Sequence, residues 1–303
     1  MNIVEKASKN ALAKNERKII REVSKRTGFA PKKELFRGKI IYTYGHRPVT
    51  GSILLLGRYN GNEAVLKLQG LRLESSEVDM IRRFESQNRS RVIRAPKIYK
   101  HAKWNPKAGY GYTIMEYVEP AHIYEMPFAM EKQMREFARV FQEYKTRAVR
   151  RPWVRFEPGN LYSGGAKGVD NLSSVINTVE KWRKNAEKNG RLKFDDYATY
   201  LIRFYPIAAG AVPKMKAEFM QKDFTQQSIL KKGGTYIMFS NALWGYRLEW
   251  SELAYVLWYN LLGMKSGGLT FGRTLKYIKK WINVYKAIPI FRSLKADKRL
   301  RSR

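Results

Sequence analysis

One lysine lies where the surrounding pattern favours an apolar residue. Lys67 falls within the apolar run Val65–Leu68, whose other members should be buried. A buried lysine needs an acidic partner, and Glu77 follows at short range, with Glu74 as a rival. The alternative is a lysine on an edge strand that points to solvent.

A carboxylate occupies a loop-like stretch in the second half of the chain. Asp223 lies between Met220 and Phe224, and the apolar residues Ile229 and Leu230 follow. From such a setting a carboxylate can orient a hydroxyl group or accept its proton. The alternatives for the same residue are an unpaired loop residue or a turn cap.

Composition excludes several kinds of protein. Hydrophobic residues make up 44% of the 303 positions, which is enough for a sizeable core and excludes wholesale disorder. The chain has no cysteine, so disulfides and thiolate metal sites are impossible. The three histidines, His46, His101 and His122, lack ligand spacing and are interpreted as ordinary loop or surface residues.

Positive charge is the main compositional signal. The net charge is +33, of which +7 falls in residues 1–33 and +10 in residues 273–303. Such a field attracts polyanions, so a polyanionic partner is predicted, either nucleic acid or an anionic membrane surface. A general basic bias of the source proteome is the alternative. The sequence does not indicate the oligomeric state.

No targeting signal is evident. Residues 1–28 are charged and helix-forming, and they lack the apolar centre of a secretory signal peptide. The best apolar window, Leu243–Met264, contains Arg247, Glu249 and Glu252, so no transmembrane segment is predicted. Together with the absence of cysteine, this predicts the cytoplasm or another reducing compartment.

The elements that must position Lys67 and Asp223 change in character along the chain. Up to residue 118 the pattern predicts mainly strands, with an Asn-Gly hairpin turn, and after Pro120 it predicts mainly helices. The predicted strands include residues 39–44, 52–56 and 63–68, and the predicted helices include residues 75–86, 130–148 and 271–287. The fold class is therefore α+β.

Six short motifs follow one another in a set order. They are Val65-Leu66-Lys67, Glu77–Phe84, Ala95–Ile98, Ile114–Val118, Asp223-Phe224-Thr225 and Phe239–Arg247. Together they resemble the aminoglycoside phosphotransferase and choline kinase group of the protein-kinase-like fold, over about residues 39–262. The resemblance implies two lobes, a small antiparallel-sheet lobe and a larger helical lobe, with basic N- and C-terminal extensions. The implied divisions are a basic arm or helix over 1–33, the N-lobe over 34–118, the helical C-lobe over 119–290 and a basic tail over 291–303.

The resemblance also implies roles for single residues. Lys67, paired with Glu77, would bind the phosphates of ATP. The segment Ile114–Val118 would receive the adenine through backbone hydrogen bonds, with Glu116 and Val118 as the binding residues. Asp223 would orient the acceptor hydroxyl.

The metal-binding positions depart from the pattern of this group. Ser228 stands in place of the Asn, and Met238 stands in place of the metal-binding Asp. A thioether cannot hold a hard cation such as Mg²⁺, which prefers oxygen ligands. The loop also reads Gln221-Lys222-Asp223 where the group has His-Gly-Asp, and Lys231 and Lys232 are nearby cations that could partly replace a metal. The sequence thus predicts a degenerate motif without a metal site, with ATP as a possible ligand and Mg²⁺ weak or absent.

Two functional hypotheses remain open. The first is a pseudokinase that acts as a binding module on nucleic acid, a nucleoprotein or an anionic membrane, and in which Asp223 is vestigial. The second is an active ATP-dependent phosphotransferase that uses altered metal ligands and modifies a small-molecule or lipid hydroxyl.

Overall fold

Two units of unequal size make up the chain. Unit 1 comprises Met1–Arg82 and Ala95–Glu119, and unit 2 comprises Arg83–Arg94 and Pro120–Arg303. The computed structural model describes residues 11–40, 49–70, 76–119, 131–149, 217–221, 228–239, 244–248 and 271–286, and positions 152, 184, 202, 206 and 224. Within these ranges no helix is both long enough and apolar enough to cross a membrane.

Ten strands and four helices are defined in the described ranges. The strands are β1 (Ala30–Ile40), β2 (Val49–Tyr59), β3 (Asn62–Gln69), β4 (Ile93–Arg94), β5 (Ile98–Asn105), β6 (Tyr110–Glu116), β7 (Ala217–Gln221), β8 (Ile229–Lys232), β9 (Thr235–Met238) and β10 (Trp244–Leu248). The α-helices are α1 (Ala11–Thr27), α2 (Glu77–Gln87), α3 (Glu131–Glu143) and α4 (Phe271–Lys286), and a π-helical turn (Tyr144–Ala148) continues α3. The helices predicted over 75–86, 130–148 and 271–287 are therefore confirmed.

A five-stranded antiparallel sheet, in the order β1-β2-β3-β6-β5, forms the body of unit 1. The predicted Asn-Gly turn joins β2 to β3: Asn60 and Gly61 have φ values of 48° and 78°, which suit a two-residue hairpin. Because β3 is the central strand, Lys67 is not an edge-strand residue, and that alternative is wrong.

Helix α1 packs on this sheet. Its apolar residues join a buried core with side chains of the sheet, and this core includes Leu12, Ile19, Val23, Ile53, Leu66, Leu68 and Ile114. The helix ends at Thr27, and the next residue, Gly28, has a φ of 78° and donates its N–H to the carbonyl of Ser24 at 2.9 Å. Glycine adopts this left-handed conformation without the penalty of a Cβ. The sequence predicted either an arm or a helix for this segment, and the structure shows a helix over residues 11–27.

The prediction of a first strand over 39–44 is wrong about where the strand begins. β1 starts at Ala30 and ends at Ile40, and residues 41–48 lie outside the described ranges. Its register with β2 shifts at three places, and residues 30–36 are all exposed. A strand that is exposed and interrupted in this way carries no alternation of apolar and polar residues, which is the signal that sequence patterns use.

Unit 2 combines α3 and α4 with two small sheets. One has the order β4-β9-β8, with β4 parallel to β9, and the other pairs β7 with β10. A buried aromatic cluster fills its interior and includes Phe137, Phe141, Tyr144 and Phe224. The sequence predicted that Arg83–Arg94 belongs to the smaller lobe. In the structure these residues belong to unit 2, in which β4 pairs with β9.

Candidate functional site

Lys67 and Glu77 form an ion pair inside unit 1. On the central strand β3, Lys67 lies opposite Leu54 of β2 and Thr113 of β6. Its Nζ donates a hydrogen bond to Oε2 of Glu77. The two side chains are 23% and 12% exposed, so the pair is largely shielded from water. The predicted pair is confirmed, and the rival Glu74 lies outside the described residues.

The first turn of α2 holds Glu77 in place. At the start of the helix, the Oγ of Ser76 accepts a hydrogen bond from the backbone N of Asp79 at 3.4 Å. Both acidic residues of the first turn, Glu77 and Asp79, interact favourably with the positive end of the helix dipole. The strand fixes the lysine and the helix fixes its partner. Since an ammonium group has three N–H donors, Lys67 can bind an anion while it is held by one carboxylate.

Glu116 joins the end of β6 to Lys97. Its backbone N donates to the carbonyl of Lys97 at 2.9 Å, and its Oε2 accepts from the N of Lys97 at 2.7 Å. Glu116 is 5% exposed and Val118 is 4% exposed. The amide and carboxylate of Glu116 therefore serve the fold. A nucleotide would have to use the carbonyl of Glu116 or the backbone of Val118, and that role stays a prediction.

The two residues that the sequence assigned to metal-binding positions, Ser228 and Met238, lie side by side in unit 2. Strands β8 and β9 form an antiparallel hairpin in which Ile229 pairs with Met238. One step further along, the N of Phe239 donates to the carbonyl of Ser228 at 2.7 Å. Ser228 is 8% exposed, and Met238 is completely buried. The structure thus brings Ser228 and Met238 together at the same end of one hairpin.

These two side chains do not fit a hard cation. Met238 offers a thioether and Ser228 a single neutral hydroxyl, whereas Mg²⁺ prefers carboxylate and carbonyl oxygens. In the part of the chain that the structure describes, no three His, Asp or Glu side chains are grouped so as to hold a metal ion. Asp223, the predicted catalytic carboxylate, lies outside that part.

The chain is anchored on both sides of the Asp223 position. The N of Gln221 donates to Oη of Tyr144 at 2.8 Å, and Nε2 of Gln221 donates to the carbonyl of Phe239 at 3.4 Å. The N of Phe224 donates to the carbonyl of Gln221 at 3.3 Å. The ring of Phe224 stacks on that of Tyr144, with centroids 4.1 Å apart. Gln221 and Phe224 are therefore both tied to the aromatic core of unit 2.

Sequence reasoning missed the part played by Tyr144. It is the first residue of the π-helical turn and is fully buried. Such turns widen a helix locally and often occur at functional sites. The only hint in the sequence is the spacing of Phe137, Phe141 and Tyr144 on one helix face, which indicates burial but not a hydroxyl contact with Gln221.

Comparison with known proteins identifies the fold of the chain. No family model and no curated protein matches the sequence. In structure, the chain aligns with a ternary complex of a thermostable mutant of aminoglycoside phosphotransferase APH(4)-Ia with AMP-PNP and hygromycin B. That alignment has a TM-score of 0.54 and 11% identity, over 93% of this chain and 86% of that chain. A second crystal structure of APH(4)-Ia aligns with a TM-score of 0.52 and 10% identity, over 88% and 83%. The chain has a two-lobed, aminoglycoside-phosphotransferase-like kinase fold.

A polar cluster that the sequence did not reveal links α3 to the hairpin that contains Met238. Oε1 of Glu136 accepts a hydrogen bond from Oη of Tyr236 at 2.8 Å and another from Nζ of Lys231. Burial, reinforced by the Glu136 carboxylate, raises the pKa of Tyr236 above its ordinary value, so the phenol stays protonated and donates. Because Lys231 pairs with Glu136, the carboxylate offsets the positive charge of Lys231, and this charge is not a simple replacement for a metal cation.

Proposed function

We propose that this kinase-fold chain is a binding module for a polyanion and that it does not catalyse metal-dependent phosphoryl transfer. The observation that carries the proposal is Met238, a fully buried thioether beside Ser228 at the end of the β8–β9 hairpin. In working kinases the corresponding position supplies a carboxylate to the metal ions.

Electrostatics explains why this substitution matters. Phosphoryl transfer in kinases depends mainly on positioning and on neutralising the charge of the phosphates, and metal ions supply much of that neutralisation. Lys67 alone provides one positive charge, and Glu77 offsets it. Without a carboxylate at position 238, little remains to stabilise the transition state.

The residues of this chain fit a nucleotide better than they fit a metal ion. The Lys67–Glu77 pair is assembled and largely shielded from water, which suits it to an anionic phosphate. The aligned APH(4)-Ia complex contains AMP-PNP, so a nucleotide is the first small molecule to test. Nucleotide binding without Mg²⁺ is compatible with the proposal, because a pseudokinase can keep this site for stability or regulation.

The charge of the chain supports a polyanionic partner. A net charge of +33 on 303 residues is far beyond what solubility requires. Residues 1–33 and 273–303 carry +7 and +10 of it, so both ends of the chain contribute. Nucleic acid, a nucleoprotein or an anionic membrane would each be attracted by such a field.

An active phosphotransferase is the second candidate, and the intact Lys67–Glu77 pair favours it. In this alternative, Asp223 would orient a small-molecule or lipid hydroxyl, and altered ligands would hold the metal. The hygromycin B in the aligned APH(4)-Ia complex makes small polyhydroxylated molecules the substrates to try first.

Nucleotide binding and turnover separate the two candidates. The full chain should be melted with ATP alone and with ATP plus Mg²⁺, and ATP hydrolysis should then be measured with and without candidate acceptors. We expect that Mg²⁺ adds nothing to any stabilisation by ATP, since only a bound metal could do so. We also expect no turnover above background.

The matched control for this experiment is Asp223→Asn. In a pseudokinase it should leave both melting curves unchanged. Mg²⁺-dependent turnover that this substitution abolishes would overturn the proposal and establish the active phosphotransferase.

A further inference from the structure

The protein itself already covers the apolar face of α1. Leu12, Ile19 and Val23 are at most 3% exposed and belong to the core that the helix shares with the sheet of unit 1. A helix that binds a membrane surface inserts its apolar face among the lipids. Helix α1 cannot offer that face to a bilayer without leaving the core.

The outward face of α1 is strongly basic. Past a kink at Asn15, the helix exposes a set of charged side chains: Arg17, Lys18, Arg21, Glu22, Lys25 and Arg26. Three of them, Arg17, Arg21 and Lys25, are spaced four residues apart and form what we call the basic row. Residues with this spacing share one helix face and rise about 6 Å along the axis at each step.

Opposing charge on this face is slight. Glu22 is the one acidic residue in the exposed set, and its carboxylate lies 4.0 Å from the ammonium of Lys18, at one side of the basic row. Both side chains are well exposed, so water weakens their interaction. The row therefore presents its positive charges to solvent.

The helix is held in one position before any partner arrives. Oγ1 of Thr27 donates to the carbonyl of Val23 at 2.7 Å and accepts from the N of Phe29 at 3.2 Å, which fixes the end of the helix against β1. The guanidinium of Arg26 lies 5.1 Å from the ring centroid of Tyr112 on β6. A surface that is ordered in advance loses little conformational entropy when it binds.

We infer that the basic row of α1, Arg17, Arg21 and Lys25, binds phosphates along the major groove of duplex DNA. This inference rests on the proposed polyanion-binding function and assigns it a surface and a partner. Arginine recognises phosphate through paired N–H donors, and lysine does so as a point charge. Contacts of this kind position the helix on the duplex without reading its sequence.

The shape and polarity of the row favour DNA over the other polyanions. The row contains no apolar side chain to insert into a bilayer, and the apolar face of the helix is buried. The major groove of B-form DNA, about 12 Å wide, admits an α-helix. The major groove of A-form RNA is deep and narrow, so a helix fixed on a sheet cannot enter it.

Salt titrations with matched variants test this inference. Binding of the full chain to a labelled DNA duplex, to an RNA duplex of the same sequence and to vesicles containing phosphatidylserine would be followed by fluorescence anisotropy or co-sedimentation. The test variant is Arg17→Gln/Arg21→Gln/Lys25→Gln. The control variant, Arg89→Gln/Arg91→Gln/Lys107→Gln, removes the same charge from exposed positions elsewhere.

The expected result is specific to the row. If all three side chains contact phosphates, the test variant should lower the log–log salt slope on DNA by about 2.7, at about 0.9 per phosphate. Between about 50 and 200 mM salt, the wild type would then lose about fortyfold more affinity than the variant. The control variant should keep the wild-type slope, and Arg17→Lys/Arg21→Lys should restore most of it. Melting curves show whether each variant is folded.

Other outcomes overturn either the proposed function or its assignment to the basic row and duplex DNA. If the wild type binds none of the three polyanions, the proposed function fails. If it binds DNA but the test and control variants have equal slopes, polyanion binding stands and the assignment to α1 fails. Equal or tighter binding to duplex RNA, or to vesicles, would also overturn the assignment to duplex DNA.

Discussion

Lys67, on the central strand of the sheet in unit 1, forms an ion pair with Glu77, in the first turn of α2, ten residues further along the chain. Two separate elements therefore hold the two charges. Their partial burial distinguishes this pair from the pairs on the surface of the same unit, such as Lys32–Glu63, whose side chains are 45% and 53% exposed.

Breaking the Lys67–Glu77 pair should destabilise unit 1. Lys67→Ala or Glu77→Ala leaves the other charge in a partly buried site, which costs about 1–3 kcal/mol of unfolding free energy. Urea denaturation of both single variants and the double variant measures the loss and the coupling between them. Lys32→Ala is the matched control, because water screens an exposed pair and its loss matters little. Equal losses for Lys67→Ala and Lys32→Ala would contradict the shielding seen here.

Met238 should behave as a packing residue. Met238→Leu conserves volume and should cost less than about 1.5 kcal/mol, whereas Met238→Ala leaves a cavity and should cost about 2–5 kcal/mol. Thermal or urea unfolding of both variants gives these values. ATP binding by the Leu variant should equal that of the wild type. If the Leu variant stays folded but loses nucleotide binding, the thioether has a role beyond packing.

The features that the sequence predicted well are local. A single lysine in an apolar strand, followed closely by a helix rich in acidic residues, was enough to predict the Lys67–Glu77 pair. The Asn60-Gly61 hairpin was predictable because few other residues adopt its backbone conformation. Ser228 and Met238 lie at the same end of one hairpin, and their assignment to the metal-binding positions stays a prediction.

The features that the sequence did not reveal depend on distant parts of the chain. The loose apolar stripe of α1 does not say whether the helix packs on its own sheet, because the same stripe suits several partners. Tyr236 and Glu136 are separated by one hundred residues, and no local pattern relates them. The π-helical turn that directs Tyr144 to Gln221 has no distinctive composition, so the anchoring of Gln221 could not be predicted.

His101 on β5 lies in a mixed electrostatic setting. Burial lowers its pKa below the ordinary value of 6.5 and outweighs the Tyr112 carbonyl and the Asp79 carboxylate, which act in the opposite direction. The positive charges of Arg82 and Lys103 add to the lowering. In the folded protein His101 therefore stays neutral at pH values where it is already protonated in the unfolded chain.

Acid should destabilise the protein through His101. As the pH falls below about 6.5, the unfolded chain takes up a proton that the folded chain refuses, so the free energy of unfolding decreases. The decrease should level off once the pH passes the lower folded-state pKa. Urea denaturation at about pH 7.5 and pH 5.5 measures this loss. His101→Gln should reduce it, and a variant with the full wild-type loss would show that other groups are responsible.

Tyr144→Phe should weaken the anchor of Gln221, two residues before Asp223. The substitution keeps the ring that stacks on Phe224 and removes the hydroxyl that accepts the N–H of Gln221 at 2.8 Å. A buried donor deprived of this acceptor costs about 1–3 kcal/mol of unfolding free energy. Tyr99→Phe is the control, because Tyr99 is 38% exposed and water can replace its contacts.

The same variant separates the anchor of Gln221 from the proposed DNA-binding face. Tyr144 belongs to unit 2, whereas the basic row lies on α1 of unit 1, so Tyr144→Phe should leave the salt slope of DNA binding unchanged while unfolding free energy falls. Urea denaturation and the salt titration, performed on the same preparation, provide both readouts. If Tyr144→Phe is as stable as Tyr99→Phe, the hydroxyl contact with Gln221 does not stabilise unit 2. If it is less stable and also loses the salt slope, DNA binding depends on the core of unit 2 and not on the row alone.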